Sequence, residues 1–286
     1  MQLQWTTKSG LHHLSRLART ACLLMATMTL GSCAANLSGL QLPTDEQTEN
    51  ASSIMRLARA AEAKGDREDA LKLYHRAVAA NPKQAEAQAA LGRALISRDD
   101  PDAALRHFEE AARLEPNEVS YRTRIGQAQL ATHQPELARA TFEAALAIDP
   151  QAALAHNGLG MALDVLGHHG EAQEHYRQAL LVNPEYVAAR NNLGLSLGLS
   201  GRYDEAIREL RPIALGSDSV PRARQNLAVV LALKGDHDDA AKLARIDLQE
   251  EDVQSNLKIL AGLHREASAG PTNSSASSGA LQDGGQ

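Results

Sequence analysis

Four prolines, Pro82, Pro116, Pro150 and Pro184, stand 34 residues apart, and each closes a similar phrase: "AVAANP", "AARLEP", "ALAIDP" and "ALLVNP". A fixed period of this length constrains the chain more than its composition does, because each period must be one structural unit repeated in register. Counting in steps of 34 from Ala51 gives six frames without insertion: 51–84, 85–118, 119–152, 153–186, 187–220 and 221–254. Position 8 of each frame is small (Ala58, Gly92, Gly126, Gly160, Gly194, Ala228), and position 20 is always alanine (Ala70, Ala104, Ala138, Ala172, Ala206, Ala240). Position 7 is always Leu or Ile, and position 24 is aromatic in four frames (Tyr74, Phe108, Phe142, Tyr176).

Each frame has room for two antiparallel helices. Small residues at positions 8 and 20 let the two backbones approach, and the aromatic at 24 fills the space beside them. Proline at position 32 cannot continue a helix and ends the unit. Gly65, Gly167, Gly201 and Gly235, at position 15, suit the turn between the helices. No frame reads as a strand. One such unit cannot bury its own apolar face, so it gains stability by stacking on its neighbours.

This pattern resembles the tetratricopeptide-repeat (TPR) family. The resemblance implies an all-α, right-handed superhelical solenoid of about six repeats. The last frames weaken: position 24 becomes Leu210 and then Ala244, position 27 becomes Ile213 and then Asp247, and position 32 loses its proline. The segment "SNLKILAGLHRE", residues 255–266, reads as an amphipathic capping helix, and the small polar residues 267–286 read as a disordered tail.

The other end of the chain carries a different signal. Residues 1–19 hold Lys8, Arg16 and Arg19 and no acid, and the apolar run "ACLLMATMTL" that follows is ten residues long. A membrane-spanning helix needs about 20 apolar residues, so a basic lead with a short apolar core reads as a secretory signal peptide, residues 1–32. "Leu30-Gly31-Ser32-Cys33" resembles the lipobox of bacterial lipoproteins. That resemblance implies cleavage before Cys33, a diacylglyceryl group on its sulfur and an acyl group on its amine. Ala34, where the enteric proteins of that kind carry Asp for inner-membrane retention, implies the periplasmic face of the outer membrane. Residues 33–50 then read as the lipidated N-terminus and a flexible tether. Cleavage would leave Cys33 as the single thiol, so no internal disulfide is available in an oxidising compartment. It would also remove three positive charges and no acid, taking the formal charge from −6 to −9. A net acidic chain with few aromatics is a poor nucleic-acid binder, because phosphate contacts dominate that affinity.

In the TPR family the first helix of each repeat lines a concave groove through positions 2, 5, 6, 9, 12 and 13. Here those positions carry Arg56, Arg59, Arg93 and Arg124 in the first three frames. In the last three they carry Leu154, Met161, Val165, Leu195, Leu199, Val229 and Leu233. A groove that passes from basic to apolar suits a peptide with one acidic and one apolar end. Asn192 and Asn226 at position 6, with Asn191, Gln225 and Asn157 at position 5, form a series of amides that can pair with a peptide backbone. The same amides could instead meet solvent or the next repeat.

Nothing reads as an enzyme or a cofactor site. His168 and His169 sit at a turn and His175 lies about two turns along the next helix, a poor arrangement for shared metal ligation. No P-loop, zinc-protease or nucleophile-elbow motif is present. The segment "ELRPIALGSDSVPRARQNLAVVLALKGDHDDAAKLARIDLQEEDVQSNLKIL", residues 209–260, resembles the end of the TadD family, TPR lipoproteins of the Flp/Tad (tight adherence) pilus system. That resemblance implies a pilotin-like scaffold that helps an outer-membrane secretin to localise or assemble. A type IV pilus pilotin, or an adaptor for outer-membrane or peptidoglycan assembly, is the alternative. The chain departs from the general repeat at position 4, where Gln88, Arg122, His156, Arg190 and Arg224 replace tryptophan.

Overall fold

A computed structural model of the chain describes residues 45–217 and 219–269. They form thirteen helices and no strand: α1 (Asp45–Ala63), α2 (Arg67–Ala80), α3 (Ala85–Ile96), α4 (Pro101–Leu114), α5 (Val119–Ala131), α6 (Pro135–Ile148), α7 (Ala153–Val165), α8 (His169–Val182), α9 (Val187–Leu199), α10 (Tyr203–Leu215), α11 (Pro221–Lys234), α12 (His237–Ala244) and α13 (Glu250–Ala269). Two compact units result. Among the described residues, 45–167 with 181–184 make the first, which holds α1–α7 and the last two residues of α8; 168–180 with 185–217 and 219–269 make the second, which holds the rest of α8 and α9–α13. Within each unit, consecutive helices pack as antiparallel pairs, the all-α repeat architecture that the period implies.

Position 15 makes the turn in all six frames, and the requirement is conformational. Gly65, Gly167, Gly201 and Gly235 have φ of 87°, 83°, 79° and 105°, and a Cβ added to any of them meets nothing within 4 Å. Asp99 and His133 occupy the same place with φ of 61° and 59°, the only described non-glycine residues with positive φ. The left-handed residue reverses the chain so that the next N–H reaches back to position 11. Asp66, Asp100, Gln134, Arg202 and Asp236 donate to the carbonyls of Ala61, Leu95, Gln129, Leu197 and Leu231 at 2.8–3.1 Å. That bond satisfies one of the carbonyls orphaned at each helix end.

The core follows from the small residues. Every position-20 alanine is at least 98% buried, and so are Tyr74, Phe108, Phe142 and Tyr176 at position 24. Gly92 lies flat on the Phe108 ring and Gly126 on the Phe142 ring; a Cβ would come within 2.7 and 2.6 Å of those rings. Phe142 is held from its other side by Gly158 of α7. In the second unit Leu210 takes the place of the aromatic against Gly194.

Position 4, where the tryptophan is missing, does different work. Gln88 Nε2 donates to Pro82 O at 2.9 Å, His156 Nε2 donates to Pro150 O at 3.1 Å, and Arg122 donates to Pro116 O. Each bond ties the start of a repeat to the proline that ends the one before. Gln88 also accepts from His107 Nδ1 at 2.7 Å, and burial, with His75 and Arg106 nearby, holds the His107 imidazole below its ordinary pKa. In the second unit the position-4 arginines also meet acids. Arg190 meets Glu209 at 3.0 Å, and Arg224 grips Asp247 with two bonds of 2.8 and 2.6 Å.

Both ends of the repeat array differ from the frame boundaries. α1 begins at Asp45, so the last six residues of the stretch read as tether are helical; Ala51, Ile54 and Met55 bury that helix in the core. At the other end α12 has only eight residues, and α13 starts at Glu250 rather than 255. The cause is the weak sixth frame: Ala244 and Asp247 offer no bulky apolar face, and Asp247 is drawn to Arg224. The triplet Glu250-Glu251-Asp252 then opens a new helix, where acids complement the N-terminal dipole. Arg245 Nε and Nη2 fasten Glu250 at 2.6 and 2.9 Å. α13 runs to Ala269, three residues into the stretch read as tail; the rest of that stretch lies outside the described residues.

Candidate functional site

In the first unit, the leading helices α1, α3, α5 and α7 carry the sequence-derived groove positions. Arg56 is exposed and donates to Ser53 Oγ at 3.1 Å; Arg124 is exposed and donates to Gln127 Oε1 at 3.2 Å. Arg59 is ion-paired with Glu86, and Arg93 is half-buried. This end is therefore of mixed charge rather than purely basic. Glu86 at position 2 and Glu62 at position 12 belong to the same set of positions, and counting only arginines missed them. Glu62 accepts from Tyr74 Oη at 2.6 Å; burial first, and then this carboxylate, push the Tyr74 phenol up to about 12. Further along, Leu154 and Val165 are exposed and Met161 is half-buried, so apolar surface is available on α7. Asn157 is buried, with its Nδ2 3.6 Å from Met161 Sδ.

The second unit treats its amides differently. Asn191 and Asn226 are 6% and 7% exposed, and Asn226 Nδ2 donates to Asn191 Oδ1 at 2.9 Å. Asn191 Nδ2 in turn lies 3.5 Å from Asn192 Oδ1. The amide series thus stitches α9 to α11, and Asn191 and Asn226 do not stand open in a groove. Asn192 and Gln225 are half-buried beside them, as are Leu195 and Leu199. Val229 and Leu233, read as apolar lining, are buried because α13 packs against α11. The sequence map could not show this, since it placed the last helix later in the chain.

Arg224–Asp247 is a largely buried ion pair, with both side chains 13% exposed. A second polar cluster fixes the α8–α10 region: Gln173 is buried, donates to Ser200 Oγ at 2.9 Å, and accepts from Arg202 at 2.8 Å. Among the described residues no three His, Cys, Asp or Glu side chains are grouped to hold a metal ion, and no helix is long and apolar enough to cross a membrane. His168 pairs with Glu171 at 3.2 Å. Cys33 and the signal sequence lie outside the described residues.

Comparison with known proteins agrees with this geometry. A tetratricopeptide-repeat family profile matches residues 55–119, 157–211 and 200–248, more than half of the chain, and a second profile of the same description matches 95–162. No curated protein sequence matches the chain. Among solved structures, PilW, a widely conserved type IV pilus biogenesis factor, is 18% identical, with a TM-score of 0.64 over 72% of this chain and 98% of its own. PilF of Pseudomonas aeruginosa is also 18% identical, with a TM-score of 0.60 over 74% of this chain and 98% of that one. TTC0263, a TPR protein of Thermus thermophilus, is 22% identical, with a TM-score of 0.55 over 63% of this chain and 98% of its own. At these identities the likeness speaks for the fold. The profile, the period and the stacked helix pairs together place the chain in the tetratricopeptide-repeat family, whose repeat is a scaffold for protein–protein interaction.

Proposed function

We propose that the chain is a lipid-anchored scaffold of the bacterial envelope that binds a protein partner through its repeats. The observation that carries the binding role is the inner-helix face of the first unit, where exposed Arg56 and Arg124 share α1–α7 with exposed Leu154 and Val165. Charged and apolar stretches on one unit suit a peptide or helix with an acidic part and an apolar part. In this reading Cys33 carries a diacylglyceryl and an N-acyl group, and Ala34 directs the protein to the periplasmic face of the outer membrane. More than one acyl chain is enough for stable anchoring. The partner is a secretin or another component of a Flp/Tad pilus, after the resemblance of residues 209–260 to TadD.

A type IV pilus pilotin is the second reading, favoured by the length over which the repeats match PilW and PilF. One experiment separates them: crosslinking of the tagged protein in intact cells, purification from outer membranes, and mass spectrometry of what comes with it. A Tad-type secretin supports the first reading and a type IV pilus secretin the second; cell-wall or barrel-assembly proteins refute both. Cys33→Ser is expected to move the protein out of the membrane fraction, and retention there sinks the lipid anchor.

A further inference from the structure

The third repeat breaks rules that its neighbours keep, and the breaks fall in one place. Position 11 is a buried leucine in four other repeats (Leu95, Leu163, Leu197, Leu231), but here it is Gln129. Gln129 is 8% exposed, and its Oε1 is buried with no hydrogen-bond partner. Position 22 is charged in the other five repeats (Lys72, Arg106, Glu174, Arg208, Lys242), but here it is Ala140. Position 19 is acidic in four of them (Asp69, Glu171, Glu205, Asp239), but here it is Leu137, 55% exposed. Position 26, polar in the first, second and fourth repeats, is Ala144. The core site has become polar and the surface sites apolar.

All four residues line one groove of about 510 Å³ between α4 and α6, with α5 as its floor. Ile125 and Gln129 form that floor; Ala112 stands on the α4 side, and Leu137, Ala140 and Ala144 on the α6 side. Leaving a buried acceptor unmet is unfavourable, and an apolar strip along an otherwise charged helix is a docking face.

We propose that this groove is a two-fold interface, filled by α6 of a second copy of the chain lying antiparallel in it. A two-fold interface joins one surface to a copy of itself, so each residue on it must find its partner on the same surface of the other copy. Pairing about a point between Ala140 and Thr141 sets Leu137 of each copy against Ala144 of the other. Thr141, which also lines the groove, brings a hydroxyl donor toward Gln129 Oε1 of the other copy. The charges match as well. At the end of the groove beside Ala144 lies Arg122, which donates to Pro116 O and meets no carboxylate among the described residues. Glu136, at the opposite end of α6, is exposed and meets no cation there. Antiparallel packing brings Glu136 of one copy to Arg122 of the other, twice over by symmetry.

The test is sedimentation equilibrium on the purified full-length chain, beside the variants Leu137→Glu and Ala140→Glu. Leu137→Glu places the acid that four other repeats carry at position 19, and Ala140→Glu the acid that the fourth repeat carries at position 22, so folding is retained, which circular dichroism checks. The wild type is expected to sediment at twice the chain mass, and each variant to weaken dimerisation at least about tenfold. Glu136→Arg is expected to weaken it too, and Arg122→Glu in the same chain to restore it. A wild type that stays monomeric at micromolar concentrations overturns the proposal and leaves the groove to a different protein. So does a dimer indifferent to Ala140→Glu.

Discussion

Gly126→Ala sets two physical effects against each other. In an ordinary helix the change is stabilising by about 1 kcal/mol, since alanine loses less backbone freedom on folding. Gly126 is not in ordinary surroundings: its added Cβ would stand 2.6 Å from the Phe142 ring, and that ring is fully buried with Gly158 against its other side. Phe142 has no free space to retreat into. Overpacking of this kind costs about 1–3 kcal/mol, enough to reverse the helix term and leave a net loss of about 1 kcal/mol. The first repeat shows why the loss is not greater, because it holds Ala58 at position 8 together with a buried Tyr74 at position 24. Gly158→Ala alone should behave like Gly126→Ala. The two together remove both sides of the slot and should lose more than their sum, about 3 kcal/mol or more. Adding Phe142→Leu, the size the fifth repeat uses at Leu210, should recover part of that loss. Urea denaturation followed by circular dichroism reads all of these. A Gly126→Ala chain more stable than the wild type would refute the reasoning, for it would mean the ring moves aside at no cost.

Three further outcomes are expected. His133→Gly should raise stability by about 0.5–1 kcal/mol, because a bulky residue is held at positive φ there while glycine is not strained; thermal melts read it as a rise of about 2–4 °C per kcal/mol. Asn226→Ala leaves Asn191 Oδ1 buried without its donor and should lower stability by about 1–3 kcal/mol in the same denaturation assay. Glu250 is held at about 2, against an ordinary 4.5, chiefly by the Arg245 hydrogen bond and then by Gln254. Its folded value lies below its unfolded one, so the stabilisation is complete above about 4.5 and fades as the pH falls toward 2. Hydrogen exchange in α13 should quicken through that window, and Glu250→Gln should flatten the response.

The architecture was legible because one period governs it. Position 20 alanines mark every helix pair, and position 32 prolines mark the first four. Where the sequence was silent, the deciding partner lay in another repeat at a shifted position. Asn191 stands at position 5 and Asn226 at position 6, so their bond cannot be seen by comparing like positions. Asn residues in such places read the same whether they face a peptide or a neighbouring helix. Val229 and Leu233 looked open for a similar reason: the helix that covers α11 begins five residues earlier than the pattern of its apolar residues suggested. The turns at Asp99 and His133 were hidden by side chains that rarely take positive φ, and only their place in the count betrays them. Gln129 departs from the leucine that four other repeats carry at position 11, and its meaning depends on the exposed α6 strip beside it.

The bonds from Gln88, Arg122 and His156 to prolines six residues earlier have a bearing on how the chain is made. Each of these three joints in the first unit is closed by groups that leave the ribosome almost together. A repeat can therefore lock onto its predecessor as soon as its first turn emerges, without waiting for distant sequence. Contacts this local favour fast folding. Within the first unit the repeats can therefore assemble in chain order, each burying its apolar face on the one before it as it appears.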